Sequence, residues 1–379
     1  SSPTMAKCSG VIVLTKRDRS KKTSDKASAK HKKSTYSFRK WLISLSVLSF
    51  VLIGGLGATA YWLWQLPNLN NSSVRIDVQR GDTLTSMAER WQHDGWLRSA
   101  LLLRVTARLT KQTRVLRPGE YDIPAGLTNS ELLSLLASAK AVTYRLTMIE
   151  GRSLREALAV IAKAPHLTQD IEPLTTEAVA KVIGIQGNPE GWLYPDTYVY
   201  QRHETASAII LQAYQRMQDN LAEAWQNRAS GLPYRDAYQA LIMASIVEKE
   251  TGAAYERPMI AGVFVRRLQK NMRLETDPTV IYGLGPEFDG NLTRTHLRDS
   301  SNRYNTYRRH GLPPSPIALA GRTAIDAALH PKDGESLYFV AKGDGSHAFS
   351  ATLAAHNSAV RKYQMRRRED YRSAPKTEQ

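Results

Sequence analysis

An uncharged stretch, WLISLSVLSFVLIGGLGATAYWLW at residues 41–64, divides this chain before any other feature can be read. At ~1.5 Å per residue a helix of that length covers roughly 36 Å, enough to cross a hydrocarbon core of ~30 Å. Tryptophans stand at both ends, with Tyr61 and Trp62 near the second, where interfacial aromatics are expected. The apolar core is too long for a cleaved signal peptide, and no small-residue cleavage site follows it, so the segment reads as a single-pass anchor. Residues 1–40 hold 12 Lys or Arg against Asp18 and Asp25, which is +10 of the chain's formal +17. By the positive-inside rule the N-terminus faces the cytoplasm and the rest of the chain lies on the other side of the membrane. The Lys/Ser-rich tail is expected to be disordered and to touch anionic lipid.

Beyond the span the charges nearly balance, 40 Lys or Arg against 33 Asp or Glu. A nucleic-acid binder would concentrate its basic residues in the folded part, so no nucleic-acid partner is expected. The single Cys8 lies in the tail, which leaves the outer part without disulfides or thiolate metal sites. That part must be stable through its apolar core alone.

A small unit then recurs. Ile76-Asp77-Val78 leads into Gly81-Asp82-Thr83-Leu84, and Leu146-Thr147-Met148 leads into Gly151-Arg152-Ser153-Leu154. A looser copy runs from Tyr121 through Gly126, Thr128 and Glu131 to Leu135. Each has the logic of a strand, a glycine turn, a hydroxyl N-cap and an amphipathic helix. The first copy, with its RGDTL turn, resembles the LysM module, a β/α unit that binds N-acetylglucosamine-containing glycans. A purely structural role for such a unit remains equally open.

Leu241 to Gly252 reads LIMASIVEKETG. Ile242, Ile246 and Val247 fall on one helical stripe, so this helix should pack into a core. Glu248 and Glu250 arrive where it ends. A carboxyl half sunk in apolar surroundings keeps its proton near neutrality, as a general acid must. Two residues apart on a helix, the pair points in different directions. They do not form the facing dyad of an ordinary glycoside hydrolase, so one of them is expected to be structural. Downstream, Glu275, Asp277, Thr279 and Tyr282, then Asn305, Thr306 and Tyr307, supply donors and acceptors for a groove. The proline-rich loop GLPPSPI at residues 311–317 is rigid enough to hold such a groove in place. His347, on a predicted hairpin after an apolar run, is a further groove candidate. The other histidines lack metal-ligand spacing, and GxSxG, HExxH and P-loop patterns are missing from the sequence. No metal or cofactor is expected.

In order along the chain, EGWLYPDTY, ASIVEKET, RLETDPTVIYGLG, YNTY, GLPPSPI, HPKDGESLYFVAKGDGSHAFS and HNSAV resemble the MltG (YceG-like) endolytic murein transglycosylases. The likeness runs from Ile76 to Tyr363. Glu275, Ser315 and the Leu319-Ala320-Gly321 run depart from it, standing where glutamine, glycine and Asn-Pro-Gly are usual. The resemblance implies an α+β chain: transmembrane helix, LysM-like subdomain (65–145), mixed catalytic domain (146–370) and a disordered end (371–379). It implies that Glu250 is the catalytic acid, with Glu248 in support. The implied reaction cuts the β-1,4 bond between N-acetylmuramic acid and N-acetylglucosamine without water, leaving 1,6-anhydro ends that terminate strand elongation. Peptidoglycan strands, the bilayer and peptidoglycan synthases are the implied partners. A hydrolytic muramidase using Glu248, Glu275 or Asp277 as base, and a glycan-binding scaffold without activity, are the competing expectations.

Overall fold

A computed structural model describes residues 28–112, 117–138 and 140–365. The basic tail ahead of residue 28, with Cys8, and the C-terminal end at residues 371–379 lie outside the described residues. The chain separates into two units, residues 1–68 and residues 69–379.

In the first unit the described residues form one helix, α1 (Ser28–Gln65). It begins inside the segment assigned above to the tail. Within Phe38–Gln65 an 18-residue stretch reaches a mean hydropathy of 2.0, and none of it is buried in protein. Phe50, Val51 and Leu52, successive steps of ~100° around the helix, are 80%, 63% and 57% exposed. Its length and apolar surface are compatible with a single-pass membrane anchor.

The second unit opens with two copies of one supersecondary pattern. The first is β1 (Val74–Val78), α2 (Leu84–His93), α3 (Ala100–Leu109), β2 (Gly119–Ile123) and α4 (Asn129–Ala137). The second is β3 (Thr143–Thr147), α5 (Leu154–Ala162), α6 (Thr176–Ile183), β4 (Thr197–Gln201) and α7 (Ala206–Gln226). In each, the two strands pair antiparallel: Val74 opposite Ile123 and Val78 opposite Gly119, then Thr143 opposite Gln201 and Thr147 opposite Thr197. Thr83, Ser99 and Thr128 cap the helices of the first copy; Ser153, Thr175 and Thr205 cap those of the second. The looser third copy read from the sequence is therefore not a separate unit. Its strand is β2, the partner of β1, and its helix α4 corresponds to α7. Each copy has its own core, around Met87, Trp91, Leu103 and Ile123 in the first and Leu154, Ile161, Ile209 and Tyr200 in the second. Glu120, buried at the joint, accepts hydrogen bonds from Tyr144 and Arg202, and His203 Nε2 lies 2.6 Å from Asp77 Oδ1.

Next come α8 (Ala237–Glu250), α9 (Arg257–Gln269), α10 (Asp277–Leu284), α11 (Arg294–Arg298) and α12 (Arg322–Leu329). A hairpin of β5 (Tyr338–Ala341) and β6 (His347–Ser350) and a last helix, α13 (Leu353–Tyr363), complete the unit. The sequence predicted one apolar stripe on α8. In the structure every residue from 240 to 247 is buried, because α7, α9, α10 and α12 surround it. Each fully buried Leu, Ile, Met or Val contributes roughly 1.5–3 kcal/mol, so α8 is fixed in depth and rotation. Ser245 adds a polar pin, donating to Ile242 O and accepting from Ile317 N at 3.0 Å, which ties α8 to the proline-rich loop.

Candidate active site

Thr251 takes an extended conformation (φ −145°, ψ 135°) and ends α8 immediately after Glu250. The three charged residues of the last turn then diverge as helical spacing requires. Glu248 accepts from Arg257 Nη2 at 2.6 Å and from Gly321 N at 3.1 Å. Lys249 Nζ donates to Gly151 O at 3.1 Å. Glu250 lines a cleft of about 420 Å³ and accepts a hydrogen bond from the Thr276 hydroxyl. Glu248 is thus tied up in a buried ion pair, and Glu250 is the carboxyl that faces open space.

Burial of the Glu250 carboxyl, with the nearby negative charge of Asp277, pushes its pKa up to about 7, while the Thr276 bond pulls the other way. A group poised there can give a proton and take one back at neutral pH. For Glu248, burial outweighs the attraction of Arg257 and leaves its pKa raised as well. Its neighbours leave it no open path to a ligand.

The segment 274–277 forms the floor of the cleft and is set against the YNTY turn. Glu275 N donates to Thr306 O at 3.3 Å, and Thr276 N donates to Thr306 Oγ1 at 3.1 Å. Glu275 has φ +52°, a left-handed conformation unusual for a residue with a side chain. Thr276 stands at the N-cap position of α10 without capping it, which leaves its hydroxyl for Glu250. Asp277 begins α10, where a negative charge suits the helix dipole, and Tyr307 OH donates to its Oδ1 at 2.7 Å.

Among the groove candidates, the structure brings Glu250, Glu275, Asp277 and Tyr307 together around this cleft. Thr279 and Thr306 lie behind it, fully or almost fully buried and 2.9 Å apart through their hydroxyls. Asn305, wholly buried, donates to the carbonyls of His296, Leu297 and Asp299, clamping the loop that presents Tyr307. Tyr282 faces a different cleft. His347 is absent from the cleft wall: its Nδ1 sits 2.6 Å from Glu256 Oε2, fastening the β5–β6 hairpin beyond the end of α8.

Sequence reasoning missed four residues. Thr276, which bonds Glu250, was not among the groove candidates. Arg267 is buried and donates to Leu337 O, Arg273 O and Leu274 O while its Nη2 lies 3.3 Å from Glu275 Oε2. It staples the cleft floor to the hairpin. His356 and Asn357 of α13 line the same cleft. His356 stacks on Tyr338 at 5.2 Å, and burial, helped by the Arg267 charge, lowers its pKa. The HNSAV motif carried these two, but its histidine gave no spacing signal.

No group of three or more His, Cys, Asp or Glu suited to a metal occurs among the described residues. The fold and site define a class: an α+β protein with an apolar N-terminal helix and, at the end of a core helix, a carboxyl of raised pKa lining a cleft. Residues 76–362 match the model of the YceG-like family, and the chain belongs to that family. It is 30% identical over 312 residues to the endolytic murein transglycosylase of Bacillus subtilis (strain 168), covering 78% of this chain and 86% of that protein. It is 25% identical over 337 residues to the protein of the same name in Streptococcus pneumoniae serotype 2 (strain D39 / NCTC 7466), of which it spans 60%. A crystal structure of a YceG-like protein from Listeria monocytogenes is similar at a TM-score of 0.50 and 28% identity, covering 76% of this chain and 99% of that one.

Proposed function

We propose that this chain is a membrane-anchored endolytic lytic transglycosylase of peptidoglycan, with Glu250 as its single acid/base residue. The observation that carries the reading is a carboxyl with a pKa near 7, held by Thr276 in an open polar cleft. The names of the Bacillus and Streptococcus relatives support the substrate and the reaction.

The protonated Glu250 donates its hydrogen to the oxygen bridging N-acetylmuramic acid and N-acetylglucosamine, and the bond from that oxygen to C1 breaks. Asp277, held in place by the Tyr307 hydroxyl, stabilises the positive charge that grows at C1. The Glu250 carboxylate then takes the proton from the muramoyl 6-hydroxyl as its oxygen bonds to C1, closing a 1,6-anhydro ring. The acid is restored and no water is consumed. An intramolecular nucleophile can reach an effective molarity of ~10⁵ M or more, so no second carboxylate need activate it.

We further assign the apolar helix to an inner-membrane span, with the basic tail in the cytoplasm touching anionic lipid and the catalytic unit in the periplasm. The first strand–helix repeat is the LysM-like unit that holds glycan, ahead of a catalytic domain running from about residue 146. Peptidoglycan synthases are the proposed partners, because tethering keeps the cut beside newly made strands. Glu275 and Asp277 at the cleft also favour a second reading, hydrolysis with one of them as base. The test of the first reading is to incubate purified full chain with uncross-linked glycan. Short fragments are expected from the wild type and none from Glu250→Gln; normal turnover by that variant removes Glu250 from the mechanism.

A further inference from the structure

The wall that carries Glu250 has a second side. Neighbouring residues of α8 and α10 serve different clefts: Glu250 and Asp277 line the one described above, while Lys249 and Pro278 line another of about 680 Å³. That volume lies within the range of small-ligand sites. Its far wall comes from the second strand–helix repeat, through Gly151, Ser153 and Arg155 after β3 and Asn188 and Glu190 before β4.

The lining mixes three kinds of group. Ile281, Ile317 and Pro278 are apolar. Asn188 Nδ2 lies 3.1 Å from Tyr282 OH and 3.1 Å from Ser315 Oγ, and Tyr304 OH lies 2.8 Å from Ser315 Oγ, so a polar network surrounds them. Lys249 and Arg155 are cations. Arg155 is exposed and makes no ion pair among the described residues. It sits in the first turn of α5, where the helix dipole disfavours positive charge, so its position has no local electrostatic benefit. Counting from the matching glycines Gly81 and Gly151, the first repeat has Thr85 there, so the cation belongs only to the repeat that faces the cleft.

The acidic residues nearby do not cancel these charges. Glu156 is occupied by the Ser153 cap and by Arg152 at 2.9 Å. Glu190 is buried, accepts from Leu154 N at 2.8 Å and Tyr282 OH at 3.2 Å, and burial pushes its pKa up to about 7.

We infer that this second cleft binds the short acidic peptide carried by the glycan strand, with Arg155 and Lys249 meeting its carboxylates and the apolar and amide-lined floor meeting its backbone. The inference rests on the transglycosylase reading. A strand held with its muramoyl bond at Glu250 carries its peptide across the shared ridge.

Two measurements test it on the full chain in detergent. In the first, kcat/KM is compared on peptide-bearing glycan and on the same glycan stripped by an amidase. The wild type is expected to favour the peptide-bearing polymer about tenfold. Arg155→Glu should bring that ratio close to one, while the same charge change at Arg294, on α11 outside both clefts, should not. A wild-type ratio of one, or an unchanged ratio in Arg155→Glu, overturns the inference; anhydro ends from the stripped glycan would show that the transglycosylase reading survives it. The second is calorimetry with the tetrapeptide released by the amidase, using the Glu250→Gln background. Arg155→Glu should weaken binding at least fivefold, and equal binding or none at millimolar peptide overturns the inference even if neither polymer is cut.

Discussion

Glu250→Gln should stabilise the protein at high pH and leave its stability nearly unchanged in acid. The carboxyl has a pKa of about 7 in the folded chain, against an ordinary value of 4.5. Because the folded value is raised, the folded state holds the proton more tightly, and this residue's penalty is absent below pH 4.5. It grows as pH rises towards 7 and is complete above that. At 1.36 kcal/mol per pH unit the complete penalty is about 3 kcal/mol. Glutamine carries no charge and keeps a carbonyl to accept from Thr276, so roughly 2–3 kcal/mol should be recovered at pH 8 and only a few tenths at pH 4. Thermal unfolding of the full chain in one detergent at the two pH values is the assay. The midpoint of the variant should exceed the wild type by roughly 4–10 °C at pH 8 and coincide with it at pH 4. The reasoning is refuted by the same gap at both pH values, or by a variant less stable than the wild type at pH 8.

Three further outcomes follow from the geometry. Thr276→Val removes the bond that lowers the Glu250 pKa, so the alkaline limb of kcat/KM should move up by about half to one pH unit; an unmoved limb would exclude Thr276 as the orienting group. Glu248→Ala leaves Arg257 buried without its 2.6 Å partner and should cost about 3–5 kcal/mol in urea unfolding, whereas a surface-like loss under about 1 kcal/mol would contradict its structural role. Gly191 has φ +81°, and a Cβ there would stand 2.5 Å from Pro316 Cβ, so Gly191→Ala should cost about 2–3 kcal/mol, read as a lower denaturation midpoint.

What could be read from the sequence was local. Hydroxyl caps after glycine turns marked α2 and α5, because an N-cap bond closes within three residues and leaves a short-range pattern. The divergence of Glu248 and Glu250 needed only helical spacing. The pairing of β1 with β2 was hidden, since 40 residues with two helices intervene, and the strand was read as the start of a third unit. Thr276 and Arg267 were hidden for a related reason. A threonine before Asp-Pro looks like a cap, and an arginine in an amphipathic helix looks solvated. Only the tertiary structure brings the first to a carboxylate 26 residues away and buries the second under the hairpin.

The central claim is that the muramoyl 6-hydroxyl, and not water, takes the place of the departing sugar. Mass spectrometry of the fragments released from uncross-linked glycan by the purified chain tests it directly. Ends lighter by one water than the corresponding hydrolysis products are expected, and they should vanish with Glu250→Gln. Fragments carrying that water, from a chain in which Asp277 or Glu275 proves essential, would contradict the account.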